Sequence, residues 1–371
     1  MYKSQYSTVY NKRWHAQSQG LIEHSKENAH HFCGYLTSGK IFLVGTLEIS
    51  YPKKKVIASY SKVSREIRAN PIENEYYEEC ANKSAISNLQ KEEERSNMLG
   101  CLLENTEYFL ESPNLERIKL IISDETSEYL VDGVVIGVLG EKNNENHFVV
   151  DTIVHQADVA KENRISRPAL TISRIENSSF DYADGANSLL LSANAKNIQN
   201  IPKSVPIVLF DSLQEDTSVS NRVVLVPTPK DNPLVMIPWD LNMTPNNKKF
   251  TQKHIEAALS PSVIKVDGLS IGIVNINSIA SMLKYHNLGH SEESYLKAMM
   301  ILLKNMHLSP LSPYSCPAMP METDRFIMQT LPHVLVLNCA FSKEHHVVIN
   351  NTPVILVLLN DIPVYISQKE K

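Results

Sequence analysis

Histidines, cysteines and carboxylates at short spacing are the places where this sequence could carry metal or nucleophile chemistry. His286 and His290 stand four apart, but Asn287 and Gly289 between them argue for a loop rather than one helix face offering two imidazoles to zinc. His30-His31 with Cys33 is poor tetrahedral spacing and reads as a surface turn. His345-His346 beside Glu344 reads as a loop without a third ligand. No Gly-x-Ser-x-Gly elbow marks a serine nucleophile. Cys316, between Ser315 and Pro317, has no basic neighbour to lower its pKa and reads as structural. The five cysteines, Cys33, Cys80, Cys101, Cys316 and Cys339, are scattered, odd in number and without CxxC spacing. That pattern is expected of reduced thiols in an intracellular protein and excludes a disulfide framework.

The bulk properties narrow the classes further. A formal charge of -5 argues against a protein that holds DNA by neutralising phosphates over a broad basic face. Lys53-Lys54-Lys55 reads as a solvated hairpin tip, and the acidic stretch Ile67 to Asn97, with Glu92-Glu93-Glu94, as a solvated loop. There is no N-terminal apolar h-region and no run approaching ~18 apolar residues, so neither secretion nor membrane insertion is expected. No repeat recurs at a fixed period.

The elements that would position any site follow from hydrophobic patterning. Tyr6, Tyr10 and Trp14 lie four apart on one helix face, expected to pack on the protein's own body rather than on bases. Ile41 to Ile49, Val56 to Tyr60, Arg117 to Ser123, and a hairpin of Val134 to Leu139 with Phe148 to Val154 make five short strands with a long interruption. That suits a small OB-type barrel. Its strands offer Val, Ile and Leu, with Phe42 and Phe148 among few aromatics, so it is expected to grip protein rather than single-stranded nucleic acid.

Beyond Arg167, strand-like runs alternate with polar linkers: Leu170 to Ile175, Ser188 to Ala193, Val205 to Phe210 and Arg222 to Val226. Two further runs, Val263 to Val266 and Leu269 to Val274, flank Asp267-Gly268, a tight-turn signal. An amphipathic piece, Asn277 to Tyr285, precedes a helix that starts at Ser291, carries Glu292 and Glu293 in its first turn and extends to Met306. Lys304 and His307 are expected to close it with positive charge. The runs His333 to Asn338, Val347 to Ile349, Val354 to Leu359 and Val364 to Ile366 complete the set, and the tail from Gln368 is too polar for a core strand.

The expected fold class is mixed α+β and α/β: an OB-type barrel joined to a two-sheet sandwich in the calcineurin-like phosphoesterase layout, flanked by helices. The expected divisions are an N-terminal helical segment over 1–37, the OB fold over 38–158 and the phosphoesterase-like domain over 159–371.

Several short motifs occur in a distinctive order. After the Asp-Gly hairpin come Lys284-Tyr285, a helix, His-x-Ser-Pro (His307 to Pro310), Cys316-Pro317, Asp-x-Phe (Asp324 to Phe326) and Pro-His-Val (Pro332 to Val334). Together they resemble the small accessory (B) subunit of eukaryotic DNA polymerase delta. Gln5-Tyr6, Tyr10 and Arg13 resemble that family's N-terminal helix, and Glu116 to Leu120, Asp132-Gly133-Val134 and Phe148 to Asp151 resemble its OB segment. The stretch 160–260 is abbreviated relative to the family.

The resemblance implies a non-catalytic scaffold in DNA replication and repair, located in the nucleus. Its implied partners are the C-terminal cysteine-rich module of the catalytic subunit and a third, elongated accessory subunit, with DNA met only through the complex. The B subunits of polymerases alpha and epsilon stand as alternatives. Tyr76, Tyr77, Met319 and Met321 are candidates for the interface, with buried packing as the alternative.

A working phosphoesterase of this layout holds two metal ions on Asp, His and Asn at the carboxyl ends of strands. The motifs needed are Asp-x-His, Gly-Asp, Gly-Asn-His-Asp/Glu and Gly-His-x-His. The matching strand ends read Arg174-Ile175-Glu176, Ala193-Asn194, Pro227-Thr228-Pro229, Asn275-Ile276-Asn277 and Asn338-Cys339-Ala340. Neutral amides and prolines cannot balance two divalent cations, so the expectation is no catalytic residue, no cofactor-binding residue and no metal ligand. An active metallophosphoesterase with drifted ligands and a stand-alone OB protein for single strands are the readings from other classes.

Overall fold

The computed structural model describes residues 2–25, 29–30, 39–50, 106–114, 116–123, 127, 129–160, 170–175, 188–194, 201–210, 221–228, 236–241, 255–286, 288–319 and 321–368. The expected strand Val56 to Tyr60, the lysine run at 53–55, the acidic stretch 67–97, Tyr76, Tyr77, Cys33, Cys80 and Cys101 lie outside them.

Helix α1 (Tyr2–His24) leads into strands β1 (Ala29–His30), β2 (Ile41–Ser50), β3 (Glu107–Glu111), β4 (Arg117–Ile121), β5 (Val135–Lys142) and β6 (Phe148–Val154). β2 pairs with β3, β3 with β4, β4 in parallel with β6, β6 with β5, and β5 back with β2. The ring therefore closes, and closure removes the exposed edges an open sheet would leave. Alternate residues fill the interior, with Leu43, Leu47, Leu110, Ile136 and Phe148 all fully buried. The register slips between Leu139 and Gly140, where a Cβ on Gly140 would stand 2.0 Å from the Val149 carbonyl oxygen. Only glycine lets β6 approach so closely at that bend. The sequence missed β3: Glu107-Tyr-Phe-Leu-Glu is too charged to look like a strand until Leu110 is seen as its inward residue.

After the short helix α2 (Gln156–Val159), two sheets stack. The first holds β7 (Leu170–Arg174), β8 (Ser188–Ser192), β9 (Ile207–Leu209), β10 (Val223–Leu225), β11 (Ile255–Ala257) and the late strand β17 (Val364–Gln368). The second holds β12 (Ser262–Val266), β13 (Leu269–Val274), β14 (Val334–Asn338), β15 (Lys343–Ile349) and β16 (Thr352–Leu359). Their facing sides share one core, in which Leu189, Leu191, Val208 and Val224 meet Ile271, Ile273, Val336 and Val357. The outer side of the second sheet carries helices α3 (Ile276–Tyr285) and α4 (Glu292–Lys304), packed through Met282, Met299 and Leu302 on Leu335 and Leu356. That core is continuous with the barrel interior through Leu130, Val131 and Ala157.

Local signals account for the joints. Asp267 and Gly268 both take positive φ (46° and 81°), the two-residue turn that matches strand twist. Asn350 and Asn351 do the same between β15 and β16 (46° and 58°), using asparagine's tolerance of the left-handed region. Asn275 caps α3 by accepting the Asn277 N–H, and Ser291 caps α4 by accepting the Ser294 N–H.

Three expectations need correction. The helix ends at Lys304, with Met306 outside it at φ 47°. His345 and His346 lie on β15 rather than in a loop, both exposed on an edge strand that is held by its backbone pairing with β16. Gln368 belongs to β17, pairing with Leu170 at the sheet's rim.

Candidate functional site

The most heavily bonded polar group among the described residues sits where the helix, the barrel and the second half meet. One face of α1 lays Trp14, Leu21 and Ile22 on Phe42, Val44 and Val135 of the barrel. The same turn carries Arg13 inward, fully buried. Its guanidinium donates four hydrogen bonds: Nε to Asp324 Oδ2 at 2.7 Å, Nη1 to the carbonyls of Gly133 (2.8 Å) and Pro310 (2.7 Å), and Nη2 to the Ser312 carbonyl at 2.8 Å. The fork geometry of Arg suits this many fixed acceptors, which a lysine could not engage together. Tyr10 stacks beneath, its ring centroid 5.2 Å from the guanidinium carbon.

Asp324 is shared. Its Oδ2 also lies 3.0 Å from His307 Nε2, and its Oδ1 accepts the Phe326 N–H at 3.1 Å. His307 Nδ1 accepts the Ser309 N–H at 3.1 Å, which fixes the ring as the neutral tautomer with its proton on Nε2. Burial, then the nearby Arg13 charge, lowers the His307 pKa to about 4. Burial resists the Asp324 charge, but the cationic field and the bonds it accepts outweigh it and hold that carboxyl far below the usual range. The pair is thus Arg13⁺ with Asp324⁻, with a neutral imidazole donating to the anion. His307 is therefore a buried acceptor-donor and not the cation expected to close α4. Burial also pushes Tyr10 up to about 12 and Asp132 up to about 6.

Gly133 is the barrel's part of this clamp. Its φ is +81°, and a Cβ there would stand 3.0 Å from both the Pro310 oxygen and the Tyr10 ring. A second buried network lies alongside. Asn305 Nδ2 donates to the carbonyls of Tyr129 (3.0 Å) and Ile301 (2.9 Å), so its Oδ1 faces His155 Nδ1 at 3.2 Å as acceptor. Gln17 of α1 donates to the Asn305 carbonyl at 3.3 Å, and Lys304 reaches Asp158 at 3.4 Å. Helix, barrel and second half are therefore tied by charge-assisted and fully buried bonds in addition to apolar packing.

Among the described residues, several side chains at the strand ends that could have held metal are engaged elsewhere. Arg174 pairs with Glu344 at 2.8 Å and also bonds Ser342. Ser192 donates to the Asn194 carbonyl at 2.9 Å, Thr228 is buried, and Asn275 donates to Ser260 while capping α3. Glu176 and Pro229 lie outside the described residues. Among the described residues no group of three or more His, Cys, Asp or Glu could hold a metal ion. His286 is the C-cap of α3, its pKa lowered to about 4 by burial, while His290 Nδ1 lies 3.4 Å from Tyr295 Oη. Cys316 is buried, which raises its pKa and makes the thiol inert. Met319 and Met321 are half-buried, Met321 against the core, whereas Tyr314 is 74% exposed, a residue that sequence reasoning passed over.

On the outer barrel wall three basic groups among the described residues have partners. Arg117 lies over the Phe109 ring at 3.7 Å and pairs with Glu48 at 3.0 Å, Lys119 pairs with Glu107 at 2.6 Å, and Lys40 with Asp151 at 2.9 Å.

The family model of the DNA polymerase delta subunit OB-fold domain matches residues 5–153, and that of the DNA polymerase alpha/epsilon B subunit matches residues 186–346. The chain belongs to the B-subunit family of DNA polymerases. No curated protein matches it significantly. In this B subunit Arg13 and Gly133 fall in the first matched segment and Asn305, His307 and Asp324 in the second. The motifs that carried the resemblance, His307 to Pro310 and Asp324 to Phe326, are thus residues of the clamp. They build the protein's interior.

Proposed function

We propose that this B subunit is a non-catalytic scaffold of DNA polymerase delta, acting in nuclear DNA replication and repair. It binds the catalytic subunit's C-terminal cysteine-rich module and passes the connection to a third, elongated subunit, meeting DNA only through the complex. Its working divisions are a helical segment over 1–37, an OB fold over 38–158 and a calcineurin-like phosphoesterase domain over 159–371 that has lost its metal chemistry.

The observation that carries this reading is the clamp. A scaffold that transmits position between partners needs its parts fixed relative to one another, and four guanidinium bonds drawn from three distant chain segments do that. The delta assignment is supported by the match of residues 5–153 and by the motif series from His307 to Val334. Loss of phosphoesterase chemistry is supported by the Arg174 and Asn275 side chains being spent on internal bonds. A stable complex asks for more than ~1,200 Å² of total buried interface.

The test is co-expression with the C-terminal module of the delta catalytic subunit, followed by gel filtration. Co-elution is expected, and separate elution overturns the scaffold reading. Co-elution with the alpha or epsilon module instead would reassign the complex. In parallel, turnover of a generic phosphodiester by the purified chain with added manganese would refute the non-catalytic assignment.

A further inference from the structure

The clamp holds two potential cations against one carboxylate oxygen, and that arrangement has two settings. Arg13 Nε and His307 Nε2 both address Asp324 Oδ2, at 2.7 and 3.0 Å. A proton added to His307 can go only to Nδ1, the atom that now accepts the Ser309 N–H at 3.1 Å. Protonation therefore sets one N–H against another and places a second positive charge beside a guanidinium with a single counter-ion. The segment displaced by that clash is Ser309 to Ser312, which supplies the Pro310 and Ser312 carbonyls that Arg13 needs. Relief comes if Arg13 withdraws. An imidazolium then takes Asp324 for itself, and Gly133, on the barrel side, loses its donor.

We propose that docking of α1 is proton-linked through His307, so that mild acid releases the N-terminal helix from the joint while neutral pH latches it.

The other charged and titratable groups around the cluster are Tyr10 on α1, Asp132 beside Gly133 and Tyr314 on the following turn. Tyr10 stays neutral throughout, because burial raises it to about 12. Asp132, raised to about 6 chiefly by burial, holds its proton more tightly while buried, so where release exposes it, it opposes the histidine over the same acid range. The magnitude follows from linkage. With His307 near 4 when docked and at its ordinary ~6.5 when released, its proton alone weakens docking about 30-fold between pH 8 and pH 5, and an Asp132 that returns to its ordinary ~3.9 offsets about 10-fold of that, which sets a window of about 3- to 30-fold.

The experiment is hydrogen exchange on the full chain from pH 8 to pH 5, corrected for intrinsic exchange and read as protection of α1 relative to β13 and β14. The expected result is a relative loss of about 3- to 30-fold for α1 in the native chain and no loss in H307Q, whose amide can still donate to Asp324 but cannot gain a charge. The proposal is overturned if native α1 keeps constant relative protection, or if H307Q loses it as the native chain does. Histidine ring resonances give a check without substitution. The imidazole close to the Phe326 ring, 6.2 Å away between centroids, must titrate in step with the loss of α1 protection, and an α1 transition that leaves it neutral also overturns the proposal.

Discussion

Replacing Arg13 by Met keeps the apolar length of the side chain and removes every bond of the clamp. The substitution leaves Asp324 buried as a carboxylate with only the His307 and Phe326 donors, and takes the donor from three peptide carbonyls. Removing one partner of a buried ion pair costs roughly 3–5 kcal/mol, and each orphaned carbonyl adds up to ~1–3 kcal/mol if water cannot reach it. Because these losses overlap, about 4–6 kcal/mol is expected, a large share of the 5–15 kcal/mol that typically holds a domain. Urea unfolding near pH 7.5, followed by Trp fluorescence and circular dichroism, measures it.

The decisive comparison is the double variant. If the damage is an uncompensated buried charge, Asp324→Asn on the Arg13→Met background should recover about 1–3 kcal/mol, whereas Asp324→Asn alone should destabilise. A loss under ~1 kcal/mol for Arg13→Met would show that the pair carries little weight. Further destabilisation of the double variant would refute the unpaired-charge argument.

Gly133→Ala should cost roughly 2–3 kcal/mol, since a side chain is strained at φ +81° and must push the Pro310 carbonyl from 3.0 Å; thermal denaturation against a Gly289→Ala control, with open space around its Cβ, checks it. Stability should also fall in acid. His307 and His286 are each lowered to about 4, so the unfolded chain takes up their protons first, and the stability they leave intact above ~6.5 is lost as pH falls toward 4. Asp132, raised to about 6, acts oppositely between ~4 and 6, leaving a net slope of about 1.4 kcal/mol per pH unit near pH 5. Urea midpoints at pH 7.5 and 5 read the difference, and equal midpoints would contradict the assignment of both histidines as neutral.

The sequence was legible where one local rule decided the outcome. Asp267-Gly268 between apolar runs made a hairpin, Ser291 before two glutamates capped a helix, and the β5–β6 pair followed from alternation. It was illegible where the reason for a residue lay far along the chain. Arg13 stood out only as part of the N-terminal family motif, without a physical role, because its carboxylate partner is 311 residues away. His307 three positions past a helix end looked like a charge for the macrodipole, because only burial decides that it stays neutral. β3 hid because a strand at a barrel wall needs only half its residues apolar, and Glu107 and Glu111 fill the other half, while β15 showed only as Val347 to Ile349 because the polar Lys343 to His346 gave its first half no alternation. The family motifs were legible as a pattern, but their physical meaning, a shared interior joint, appears only once α1 is seen lying against both halves.

The matched ion pairs on the barrel wall set how this protein behaves beside a polyanion. A phosphate chain passing β3 and β4 would have to pull Arg117 from Glu48 and Lys119 from Glu107 before gaining either cation. Two glutamates would then be left facing it. Such an exchange releases few counter-ions, so these two cations add little to the attraction of the described wall for a polyanion.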